Sequence, residues 1–115
     1  MSGVDPRLIP IAKASETNKA FTSGANVLTT ALSPSFTPTL FRIMVASDTA
    51  ALFKANVIVS ETERTVTFNS GQDLVADAVY MFDLLVHSGD TVNFELDDSG
   101  NLILFRVQEI AGGTQ

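Results

Sequence analysis

A chain of 115 residues with 45% hydrophobic and 17% charged side chains has the size of one domain and can bury a core of its own. It contains no cysteine, which excludes disulfides, thiolate metal centres and thiol nucleophiles. Its net charge is −6 and its seven basic residues are scattered, with none between Thr65 and Phe105, so neither a phosphate backbone nor an anionic membrane surface is an expected partner.

The charged fraction is below the roughly 25% of an average domain, which points to surface covered by other subunits. A Ser/Thr-rich surface on a small β-protein would read the same way. The N-terminus has no charged region followed by an apolar run, so no secretory signal is read there. No run approaches the ~18 apolar residues of a membrane span.

Residues 1–24 are predicted to form an extended N-terminal arm, and 25–115 a single β-domain. The arm holds Arg7, Lys13 and Lys19, and Pro6 and Pro10 bracket Arg7, Leu8 and Ile9. Proline disfavours helix and removes a backbone donor. Leu8, Ile9 and Ile11 are apolar enough to add an edge strand or to lie across a neighbouring subunit; a frayed terminus is the other possibility.

Residues 25–32 read as a strand, and Pro34 and Pro38 mark 33–38 as a loop. In 39–46, Phe41, Ile43 and Val45 share one face. In 52–59, Phe53, Ala55, Val57 and Val59 alternate with Leu52, Lys54, Asn56 and Ile58, the period-two signature of a half-buried strand. A polar turn at 61–63 leads to a short strand at 64–68.

The strand at 79–86 sets Tyr80, Phe82, Leu84 and Val86 against Met81, Asp83 and Leu85. After a Ser-Gly-Asp turn, Val92, Phe94 and Leu96 form the dry face of 91–96. A second turn at 97–101 leads to 102–110. That last strand is apolar on both faces through Leu102, Ile103, Leu104 and Phe105, which predicts cover on both sides. About eight strands with turn signals every eight to twelve residues predict an all-β fold, an antiparallel β-sandwich or jelly roll.

Candidate chemistry is sparse. His87 is the only histidine, and Ser88 and Asp90 stand beside it. A hydrolytic triad needs three side chains converging from suitable positions, which one tight turn does not supply. Asp97, Asp98, Ser99 and Asn101 offer oxygen ligands, but the same residues suit a hairpin turn. A surface cation site using Asp73, Asp77 or Asp98 across subunits stays open. Asp83, mid-strand among apolar residues, needs a partner if buried; Arg42 and Arg106 are the natural ones, in a structural ion pair or a bridge between subunits. Eight Phe, one Tyr and no Trp suit core filling better than sugar stacking.

The stretch Tyr80-Met81-Phe82 through Gly89-Asp90-Thr91-Val92 resembles the penultimate-strand region of trimeric jelly rolls of the tumour-necrosis-factor and C1q type. As a whole, this short, acidic, cysteine-free β-chain with a Pro-containing basic arm (Pro6, Arg7, Pro10, Lys13) resembles the small decoration, or cement, proteins of tailed phages and related viruses. That resemblance implies a virion component without enzymatic activity or cofactor. It would assemble in the host cytoplasm, self-associate (a homotrimer) and clamp capsid subunits by exchange of the arm. Three alternatives remain: the receptor-binding tip of a viral fibre, a soluble C1q-like trimeric module, and a small lyase or isomerase on a cupin-like barrel. The single histidine argues against the last.

Overall fold

The computed structural model describes residues 11–35 and 39–111. Seven strands form in chain order: β1 (Ile11–Phe21), β2 (Thr39–Ser47), β3 (Phe53–Val59), β4 (Thr62–Thr67), β5 (Val79–Val86), β6 (Thr91–Leu96) and β7 (Gly100–Ala111). They make two antiparallel sheets, one of four strands in the order β1-β7-β2-β5 and one of three in the order β4-β3-β6. The fold is a β-sandwich, and the alternation in the sequence explains why. Phe41, Ile43, Val45, Phe53, Ala55, Val92, Phe94 and Leu96 are buried, each on the apolar face that period two assigns it.

Phenylalanine joins the layers. The Phe53 ring of β3 lies 5.6 Å from Phe94 and 5.2 Å from Phe68 on its own side. Across the core it lies 6.0 Å from Phe82 of β5 and 6.4 Å from Phe105 of β7.

Three local differences from the sequence reading have physical causes. Residues 25–32 form no regular strand. Only Leu32 bridges Val92, while Gly24 and Val27 donate their N–H groups to the carbonyls of Leu96 and Phe94. The buried Asn93 side chain takes the place of a ladder partner: its Oδ1 accepts the Leu28 N–H at 3.0 Å and its Nδ2 donates to the Leu28 carbonyl at 2.8 Å. The described residues therefore hold seven strands where turn spacing predicts about eight.

The β3–β4 turn is tighter and earlier than expected. Ser60 and Glu61 both have positive φ, 50° and 67°, the pattern of a two-residue type I′ turn that matches the strand twist.

The third difference lies in β7. Against β2, Ala46 pairs with Leu104 but Ser47 pairs with Leu102, leaving Ile103 as an extra residue. A bulge re-aims the side chains that follow it. Leu102, Phe105 and Val107 are therefore all buried although their numbers change parity. The double apolar face reflects this bulge rather than a strand covered on both sides.

The described part of the arm takes one of the courses expected of it. From Ile11 it is β1, an edge strand paired with β7 of the same chain. Leu8 and Ile9 lie outside the described residues. Ile11 pairs with Glu109 and is 39% exposed.

Candidate functional site

Arg42 and Asp83 face each other across β2 and β5. The guanidinium grips the carboxylate with two bonds, Nε to Oδ1 at 2.9 Å and Nη2 to Oδ2 at 3.1 Å. The pair is half exposed, at 40% and 43%, so the burial expected of Asp83 does not occur. An exposed pair of this kind contributes little stability; it neutralises the one charge on β5. Arg106 pairs in register with Met44, one row away, and makes no ion pair among the described residues. Of the two candidate partners for Asp83, Arg42 forms the ion pair.

The turn after β5 uses its polar groups on itself. Asp90, nearly buried, accepts the His87 N–H through Oδ2 at 3.0 Å, and the Asp90 N–H returns to the His87 carbonyl. Gly89 has φ 93°, a left-handed conformation that favours glycine. The Asp90 carboxylate is thereby committed to a backbone N–H.

The 97–101 segment is likewise committed to structure. Asp97 accepts the Leu52 N–H at 2.8 Å, Asp98 the Ser99 N–H at 2.8 Å, and Ser99 the Ser23 N–H at 3.0 Å. A Cβ on Gly100 would collide with the Thr49 and Asp48 side chains. No group of three or more His, Asp or Glu side chains able to hold a metal occurs among the described residues.

Asp48 closes the same end of the sandwich. It accepts the Asn101 N–H and the Thr49 hydroxyl, each at 2.9 Å, and these bonds hold its carboxyl below the ordinary value of 3.8. A depressed folded-state pKa stabilises the fold above the unfolded value, and that gain disappears as pH falls through the folded one. The stability difference between the wild type and Asp48→Asn is therefore expected to be full at neutral pH and to shrink below pH 3.8. Urea unfolding at several pH values measures it, and a pH-independent difference would contradict the assignment.

One polar site went unread in the sequence. Glu109 of β7 is fully buried. Its Oε2 accepts the Ser35 N–H at 2.6 Å, and Lys13 Nζ stands 3.4 Å from Oε1. Lys13 is the extra residue of a bulge between Ala12 and Ala14 in β1, which turns its side chain toward the carboxylate. A period-two count alone places Glu109 on the inner face with Val107 and Phe105. That parity was the available signal.

The outer face of the four-stranded sheet is the most distinctive surface. Register sets Leu85, Leu40 and Ile110 in one row, then Asp83, Arg42 and Gln108, then Met81, Met44 and Arg106, then Val79, Ala46 and Leu104. Val79, Met81 and Leu85 are 61%, 54% and 61% exposed. Arg42, Met44, Met81, Arg106 and Gln108 line a depression of about 60 Å³ on this face, small beside the roughly 300–1,000 Å³ of a ligand pocket. Such a surface suits contact with another flat surface better than capture of a small molecule.

Comparison with known proteins finds no matching family model, no similar curated protein and no matching solved structure.

Proposed function

We propose that this chain is a structural contact protein of a virion, a capsid decoration or cement protein that stabilises the shell by self-association and by contact with a major capsid protein. The observation that carries the reading is the outer sheet face, where Val79, Met81 and Leu85 stand exposed beside Leu40, Met44 and Ile110. Apolar residues gathered in this way mark interaction surfaces.

The type resemblance supplies the viral setting, with assembly in the host cytoplasm, three copies per cluster and exchange of the arm through Leu8 and Ile9. Binding many symmetric copies on a shell multiplies modest contacts. Such a role involves no bond-making step and no cofactor. A fibre tip or a C1q-like module would use the same sandwich for a different partner.

The test is composition of purified particles. Quantitative mass spectrometry is expected to find this chain in fixed proportion to the major capsid protein. Deleting residues 1–10 is expected to reduce its occupancy at least tenfold. Absence from the particles would overturn the viral reading, and unchanged occupancy after the deletion would overturn the arm.

A further inference from the structure

Four strands border the two sheets, and three carry features that discourage another strand from adding. β6 is covered by 24–32, which bonds to Val92, Phe94 and Leu96. β1 has the bulge at Lys13, a left-handed Asn18 (φ 53°) and two lysines. β4 is wholly exposed and carries Glu63 and Arg64 among threonines.

β5 has no cover, bulge or left-handed residue, and its one charge, Asp83, is neutralised by Arg42. Val79–Val86 runs in unbroken register against β2, without lysine, proline, glycine or bulge. Its outer residues Val79, Met81 and Leu85 are more than half exposed. Even its inward Tyr80, Phe82 and Leu84 are only partly covered. A long, regular, apolar edge is a template for strand pairing, and natural sheets normally blunt or cover it.

We propose that β5 pairs with β5 of a second copy, antiparallel about a twofold axis at Phe82, so that the two four-stranded sheets continue as one. The contact does not depend on the viral reading. The strand's own sequence selects this occupant and this axis. Opposed residues share a face, so the inner faces of both copies meet only if the axis falls on a residue rather than between two. The longest pairings within β5 have the axis at Phe82, using 79–85, or at Asp83, using 80–86.

The Asp83 axis would set two carboxylates directly opposite each other, which is destabilising. The Phe82 axis sets Val79 opposite the second copy's Leu85, and Met81 opposite an Asp83 already neutralised by Arg42. On the inner side, Phe82 meets Phe82 and Tyr80 meets Leu84. The half-covered aromatic edge, where Phe82 stacks on Phe68 at 4.9 Å, then becomes the join between two cores.

Because the chain has no cysteine, introduced thiols report the register directly. Opposed strand residues have Cα atoms about 4.5–5.5 Å apart, within disulfide range. Val79→Cys and Leu85→Cys proteins, mixed and oxidised, are expected to form the mixed disulfide. Val79→Cys alone is not expected to cross-link, since its twofold mate lies roughly 20 Å along the ladder.

Light scattering is expected to give twice 12.3 kDa, or a larger even multiple if the arm also clusters copies. Met81→Lys with Leu85→Lys is expected to halve that mass with an unchanged circular dichroism spectrum. If the lysine variant fails to fold, the cysteine pair decides. A strict monomer or trimer, self-cross-linking of either single cysteine, or loss of pairing on deletion of residues 1–10 would overturn the proposal. Absence of the full-length chain from purified particles, with pairing intact, would count against the viral reading alone.

Discussion

Replacing Phe53 with alanine is expected to lower the unfolding free energy by about 3–5 kcal/mol, the usual cost of emptying a large aromatic site in a core. Phe53 is fully buried and lies within 6.4 Å of four other rings, three stacked and one edge-on. Two of those rings, Phe82 and Phe105, belong to the opposite sheet, so truncation opens a void between the layers where neither backbone can collapse to fill it. Against a typical total stability of about 5–15 kcal/mol, the loss is a large share. For a domain of this size it corresponds to a fall in Tm of roughly 15 °C. Phe53→Leu retains much of the volume and is expected to cost less than half as much. A loss below about 1 kcal/mol in Phe53→Ala, measured by urea unfolding, would mean that the layers are not joined here.

The second large effect is expected at Lys13. Glu109 is buried without solvent contact, and Lys13 supplies the cation 3.4 Å from its Oε1. Removing one member of a buried pair costs about 3–5 kcal/mol where nothing else compensates the remaining charge. Lys13→Met keeps the apolar stem and removes only the ammonium. A loss of about 1–3 kcal/mol, below or at the foot of that range, is expected, because Glu109 keeps other contacts, the Ser35 N–H at Oε2 among them. The double variant Lys13→Met with Glu109→Leu removes both charges. It is expected to cost less than the two single losses added together, with the lost acceptor of the Ser35 N–H contributing about 1 kcal/mol. A double-mutant cycle separates the pair from its surroundings. A loss below about 0.5 kcal/mol in Lys13→Met would place this bridge with exposed surface pairs.

Strand positions were legible where the pattern had period two and no bulge. Phe41-Ile43-Val45 and Val92-Phe94-Leu96 declare their inner faces without ambiguity, and the structure buries all six. The Arg42–Asp83 fork was legible as a pairing but not in its setting. Both residues occupy outward positions, and only the pairing of β2 with β5 reveals that their face stays open.

Residues 25–32 read as a strand because they are a run of apolar and threonine residues, whereas Asn93, more than sixty residues away, meets both backbone groups of Leu28 with its side chain and interrupts the ladder. The Leu102–Phe105 run misled because a one-residue bulge exchanges inside for outside, and a bulge exists only relative to a partner strand. The role of Glu109 is not legible in the sequence, because a carboxylate in an otherwise clean inner row gains meaning only when β1 brings Lys13 to it.

The amino-acid order alone thus determined the all-β class, the strands' inner faces and the lack of a thiol, since these follow from residue type and a two-residue period. Tertiary structure decided which strands became edges, which edge was left bare, and which charges found partners. Those outcomes depend on contacts between distant segments, and no local pattern encodes them.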